Sequence, residues 1–155
     1  MKIFSGKEIS VWVDGIIKNE MQVQKTCVDL TVGKICAVTG RGRIDFSGEE
    51  FKHSPIHVLQ PEKENPDDAH GWWKLSKGVY LFEFNEFIML PENATGYIVP
   101  HARLLQSGVS HYTIVVTGTT NKISIPVNIP ETGIDIKENS RVSSLLVIGQ
   151  DFNRP

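Results

Sequence analysis

His101 and Arg103 stand two residues apart at the head of the segment HARLLQSG. Its composition predicts one or two helical turns ended by Gly108. Both side chains can donate to a phosphate, Arg in bidentate fashion. A helix start adds free N–H groups that favour anions. The chemistry on offer is anion binding; the ordinary alternative is a surface His beside a salt-bridging Arg. Other clusters offer less. His53 and His57 are spaced like a metal pair on a helix, but Ser54-Pro55 disfavours a helix there. Asp67, Asp68 and His70 have the donors for a cation, yet they lie in the polar run QPEKENPDDAHG, which reads as an exposed loop. The stretch TGRGR, Thr39–Arg43, reads as a basic hairpin turn rather than a phosphate cradle. Among the carboxylates, Glu131, Asp135 and Glu138 fall beyond a strand, and Glu83 and Glu86 flank a hairpin tip; the default for each is a solvated charge. Cys27 and Cys36 sit among β-branched residues and read as two buried thiols, not a disulfide scaffold.

The elements that must carry these residues are mostly strands. The chain has 155 residues, with 16 Ile and 15 Val against 9 Leu and 4 Ala. Ile and Val are stiff at χ1 and suit a pleated sheet. Ser5-Gly6-Lys7-Glu8 has the form of a capping box and predicts one short N-terminal helix, with Ile9, Trp12 and Val13 on one stripe and Asp14-Gly15 at its end. Val28, Leu30 and Val32 then alternate with Asp29 and Thr31, a period of two. Gly33-Lys34 reads as a turn into Ile35–Val38, and Arg43–Phe46 as a further strand. Later strands are expected over 56–59, 78–90 (broken at Asn85-Glu86), 97–99, 112–116, 122–129, 133–136 and 142–148. Trp72 and Trp73 point to opposite faces of any strand, so one of them is expected to meet another subunit. Short strands at close spacing suggest an antiparallel barrel or jelly roll.

Charge and hydropathy exclude several classes. With 16 Lys+Arg against 18 Asp+Glu there is no basic excess to draw nucleic acid or anionic lipid. No apolar run approaches the length of a membrane-spanning helix, and the N-terminus turns polar at Ser5, too early for a signal-peptide core. The expectation is a single domain over 1–155, cytoplasmic, with neither nucleic acid nor membrane as partner.

In order along the chain, several segments resemble the dCTP deaminase/dUTPase superfamily, and its deaminase branch more closely. Val28-Asp29-Leu30-Thr31-Val32-Gly33 looks like a VDVRLG-type strand, and Ile44-Asp45-Phe46-Ser47-Gly48 like an I-D-L-S-G segment. Leu81 to Gly96 is similar to a stretch of the form E-x-V-x-L-P-x-x-L-x-G, and PHARLLQSGV, Pro100–Val109, falls where the family has G-R-S-S-L-x-R-x-G-L. Ile136–Val142 falls where a strand runs into P-G-x-x-I. The resemblance covers nearly the whole chain. It implies a mainly β fold, a distorted β-barrel or jelly roll of the dUTPase-like type. It also implies a homotrimer whose sites lie between subunits and take a deoxypyrimidine nucleotide.

The departures bear on function. His101-Ala102-Arg103 stands where the family's Arg-Ser-Ser contacts the triphosphate, and Gln106 where it has a further Arg. His101, Arg103 and Gln106 are therefore the expected phosphate-binding residues. The loop Thr117–Asn121 carries no carboxylate, and Ile125 falls where the deaminases have their catalytic Glu. Seven residues follow Ile148, where the family has a longer closing segment. No catalytic residue and no metal ligand is assigned; Mg²⁺ is expected only with a bound nucleoside triphosphate. Two functions follow. One is a divergent member of nucleotide metabolism that binds a nucleotide without the usual catalytic residues, in a structural or regulatory role. The other is an active dCTP deaminase or dUTP diphosphatase with a rearranged site.

Overall fold

The Ile- and Val-rich runs become strands in the computed structural model, which describes residues 1–150. In chain order the elements are β1 (Lys2–Ile3), α1 (Gly6–Ser10), β2 (Val13–Asp14), α2 (Asn19–Gln22), β3 (Val28–Val38), β4 (Ile56–Leu59) and β5 (Trp72–Leu75). They continue as β6 (Gly78–Phe84), β7 (Phe87–Ile88), β8 (Ala94–Pro100), α3 (Ala102–Gln106), β9 (Ile114–Val116), β10 (Ser124–Ile129), β11 (Ile134–Lys137) and β12 (Arg141–Gly149). The main sheet runs β10-β6-β3-β12-β8-β9, with β4 added to β3 and β1 to β12. Two small antiparallel pairs, β11-β5 and β2-β7, complete a nearly closed, barrel-like structure. The fold is mainly β, of the distorted-barrel kind the sequence suggests.

The N-terminal helix forms for the stated reason. Ser5 Oγ accepts from the Glu8 N–H, and the Glu8 carboxylate accepts from the Ser5 N–H, closing the capping box. The helix is shorter than the apolar stripe implied. It stops at Ser10, and Val13 joins β2, where it pairs with Ile88. Two further short helices, α2 and α3, flank the sheet.

β3 departs most from its sequence pattern. Gly33-Lys34 is not a turn: the strand is continuous over eleven residues, with an irregularity in register between Val32 and Lys34. Gly33 is required there because a Cβ would lie 2.1 Å from Asn85 Oδ1. Asn85 uses that approach to donate from Nδ2 to Thr31 Oγ1 and Asn139 Oδ1, both at 2.9 Å. The period of two also misleads, since Asp29 and Thr31 are each only 2% exposed. Val28, Leu30 and Val32 fill the core on one face, and polar partners cover the other. Arg43–Phe46 does not become a strand; Arg43 makes one bridge to Lys52, and Ile44 and Phe46 stand in solvent. Cys36 is buried, whereas Cys27 is only partly so.

Ile125 lies in β10 opposite Phe82 and is fully buried in the core with Ile35, Phe82 and Val127. Replacing a buried Ile by Ala loses both transfer energy and packing. Ile125→Ala is expected to lower the free energy of unfolding by about 2–5 kcal/mol. Urea titration measures this; a loss below about 1 kcal/mol, the size of an ordinary surface change or less, would place residue 125 at a rim instead of in the core.

Candidate functional site

Segment 17–22, which includes α2, together with α3 and the turn joining β11 to β12, borders a cavity of about 340 Å³. That volume lies at the lower end of the range for small-molecule sites. Ile17, Met21, Trp72, Leu104, Ile134 and Ile136 give it an apolar lining. Lys18, Arg103, Lys137 and Arg141 add four cationic side chains, against one carboxylate, Asp135. Lys137 packs its ammonium over the Trp72 ring at 5.5 Å. Arg103 is exposed, and no hydrogen bond or ion pair engages its guanidinium among the described residues. The cavity therefore suits an anion joined to a flat or apolar group.

The three sequence-predicted residues separate here. Arg103 lines the cavity. His101 turns inward: Nδ1 accepts from the Arg103 N–H at 3.1 Å and so caps α3, and Nε2 faces Asp29 Oδ2 at 3.4 Å. Gln106 is exposed at the end of α3, outside the cavity lining. Gly108, at φ +78, ends the turn as expected.

Buried polar groups behind the cavity hold its wall. Gln22, 2% exposed, accepts on Oε1 from the Ile17 and Lys18 N–H groups at 2.7 and 3.0 Å. Its Nε2 donates to Glu86 Oε1 and to the Asp29 carbonyl, at 2.7 and 3.0 Å. Glu86 also accepts from the Thr31 N–H and, at 2.6 Å, from Thr31 Oγ1. Glu86 is thus not the solvated hairpin residue expected of it; it is 1% exposed, because three donors converge where its side chain enters the barrel. Burial pushes its carboxyl above the ordinary value of 4.5, outweighing the bonds from Thr31 and Gln22 that favour the ion. Gln22 gave no sequence signal. Asp29 and Glu86 gave a faint one, a charge set inside or against an apolar run.

Other predicted groups stay apart. Glu131 is exposed and pairs with Lys77. Glu138 accepts from the Gly71 N–H at 2.7 Å. Trp73 is buried and Trp72 partly exposed, so the two do point oppositely. Residues 117–121 fold back on β7, where Thr120 N–H donates to the Ile88 carbonyl. No group of three or more His, Cys, Asp or Glu side chains gathers in metal-ligand geometry among the described residues.

A family model described as dCTP deaminase-like matches residues 3–148. The chain belongs to the dCTP deaminase-like family. Among curated relatives, a deoxyuridine 5'-triphosphate nucleotidohydrolase of Methanocaldococcus jannaschii is 38% identical over 97 residues, covering 62% of this chain and 58% of that protein. A probable deoxyuridine 5'-triphosphate nucleotidohydrolase of Methanosarcina mazei is 27% identical over 138 residues, covering 86% of this chain and 76% of that protein. Among solved structures, the 2'-deoxycytidine 5'-triphosphate deaminase of Agrobacterium tumefaciens aligns with a TM-score of 0.63 at 16% identity, over 94% of this chain and 46% of that one. The last likeness establishes the fold.

The Glu86 carboxyl makes stability depend on pH with a definite sign. Its folded value is raised, so the folded protein keeps the proton to a higher pH than the unfolded chain. The resulting stabilisation is complete below 4.5 and is lost as pH rises through the raised value. His111 acts in the opposite direction. Burial lowers its folded value below 6.5, so its contribution is lost as pH falls below 6.5. Comparison with Glu86→Gln isolates the carboxyl. The stability of the native protein relative to this variant is expected to decline as pH rises above 4.5. A difference that stays constant from acid to neutral pH would contradict a raised Glu86.

Proposed function

We propose that the cavity beside α3 binds a deoxypyrimidine nucleoside triphosphate and that the protein hydrolyses dUTP to dUMP and pyrophosphate. The observation that carries this reading is Arg103, a guanidinium unpaired among the described residues, on a cavity wall with Lys18, Lys137 and Arg141. Four cations around one apolar cleft match a triphosphate joined to a pyrimidine. The archaeal relatives named as dUTP nucleotidohydrolases support the enzymatic reading over that of a binder without catalysis. Deamination draws less support, since Ile125 packs in the core at the position where the resemblance places a Glu.

In this reading the cationic wall neutralises charge that builds on the leaving pyrophosphate. Trp72 and the neighbouring aliphatic side chains exclude water from the base and sugar. Asp135 is the one lining carboxylate among the described residues. It would accept the proton of the attacking water, and it is the residue that would hold a Mg²⁺ ion, since Mg²⁺ is commonly bound through one or two carboxylates plus substrate oxygens. The ion, when bound, supplies charge neutralisation on the phosphate oxygens.

We further propose that the chain works as one domain and assembles as a homotrimer. Its accessible surface of 9794 Å² exceeds the roughly 7,800 Å² that mass scaling gives a 17.3 kDa monomer. Ile44, Phe46, Phe51, Ile56, Val58 and Val79 are all exposed, an apolar excess that association would cover. Light scattering is expected to return three times the 17.3 kDa chain mass; a monomer at micromolar concentration would exclude shared sites.

Incubation with dUTP and Mg²⁺ is expected to release pyrophosphate. Arg103→Ala should weaken triphosphate binding by about 1.5–3 kcal/mol, the worth of hydrogen bonds to a charged group. Calorimetry and a pyrophosphate assay read the two effects. Tight binding without turnover would favour the regulatory alternative; no binding would remove the nucleotide from the cavity altogether.

A further inference from the structure

We propose that Asp29 is a positioning residue for the phosphate-binding wall: one carboxylate holds Arg141 directly and Arg103 through the His101 cap of α3. The inference rests on the anion-binding reading of the cavity and assigns the residue that keeps it in shape.

Asp29 is 2% exposed, and both of its oxygens meet donors. Oδ1 accepts from Ser144 Oγ at 2.8 Å. Oδ2 accepts from Arg141 Nη1 at 3.2 Å and Gln24 Nε2 at 3.3 Å, and lies 3.4 Å from His101 Nε2. The same Arg141 nitrogen donates to the Met21 carbonyl at 2.9 Å, which ties in the wall formed by segment 17–22. A single carboxylate on β3 thereby joins α3, β12 and that segment.

The His101 ring transmits the hold. Nδ1 accepts from the Arg103 N–H, so it carries no proton. The proton of the neutral ring then sits on Nε2, where Asp29 faces it. Asp29 thus fixes the tautomer that allows a histidine to cap a helix, a task that usually falls to Ser, Thr, Asp or Asn. Without it, the first turn of α3, and Arg103 with it, loses its anchor.

Two substitutions separate positioning from charge. Asn has one acceptor oxygen and one NH₂ group, so in Asp29→Asn the NH₂ must face donors on one side or the other. Charge alone makes the opposite prediction, because removing a negative group beside the cavity would tighten the binding of an anion. Asp29→Asn is expected to weaken dUTP binding by at least about tenfold, in line with loss of a hydrogen bond to a charged group, and to change deoxyuridine binding less. His101→Ala is expected to weaken dUTP binding in the same way. His101→Asn, which brings its own capping oxygen, should restore most of that loss.

Calorimetry on the full chain with dUTP and with deoxyuridine reads these effects. Amide exchange of Arg103 and ¹⁵N spectra of His101 in the ligand-free protein provide a second readout. The native protein should show the proton on Nε2, and both Asp29→Asn and His101→Ala should speed Arg103 exchange. Unchanged or tighter dUTP binding in Asp29→Asn would overturn the proposal, as would a His101→Asn variant no better than His101→Ala, which would make His101 a direct phosphate ligand. If the native protein bound no dUTP, the nucleotide reading would fail, while the Arg103 exchange rates would still decide whether Asp29 holds the cap. If Asp29→Asn did not fold, the pair of His101 variants would carry the test.

Discussion

A carboxyl group inside a sheet must be paired or neutralised, because an isolated buried charge is too costly to keep. Among the described residues this barrel holds two such groups near its central strand, and each is handled differently. Asp29 is matched by Arg141 and His101 and by the hydroxyl of Ser144. Among the described residues Glu86 has no cation against it, only neutral donors from Thr31 and Gln22, and its carboxyl is pushed toward the neutral form. Satisfying these two groups brings segment 17–22, α3 and β12 to the same side of β3. The cavity lies between the elements so assembled.

This constraint explains why β3 resists a simple reading. Alternation of Val28, Leu30 and Val32 with Asp29 and Thr31 is what a half-exposed strand looks like. Over Val28–Val32 the strand is instead buried on both faces, one apolar and one polar. Gly33 conceals a second feature. Beside a lysine it resembles a turn, yet it sits in a continuous strand because Asn85 needs the space. Local signals succeed where the cause is local: the capping box at Ser5, the positive-φ glycine at 108, the opposed tryptophans at 72 and 73. They fail where the cause is a partner distant in sequence, as Glu86 is from Thr31, 55 positions away.

The site was legible to a similar degree. Arg103 follows from residue type and place. Residue type and place also single out His101, but sequence supplies no means to see it turned toward Asp29. Gln22 is a neutral side chain at the end of the short helix α2, so its four hydrogen bonds appear only in three dimensions. Asp29 was visible as a charge in an apolar strand, a pattern that marks either a solvent-facing position or a buried partner of a distant cation, and the chain alone does not separate the two.

The cations around the cavity are not equivalent, and the difference follows from their neighbours. Arg141 is restrained by Asp29 and by the Met21 carbonyl, and Lys137 by the Trp72 ring. These two lose little further freedom on meeting a ligand, so they suit a fixed phosphate position. Asp29 also offsets part of Arg141's charge, which limits how strongly that residue alone can attract an anion. Arg103 is exposed and unpaired among the described residues, so its full charge is available, at the cost of ordering a long side chain when it binds. A preset cation beside a free one suits a ligand whose negative charge is spread over several groups. One end can seat against the ordered wall while Arg103 closes on the other. A single small anion would use only part of this arrangement. The apolar half of the cavity would then remain uncovered, which favours a nucleotide over a free phosphate as the occupant.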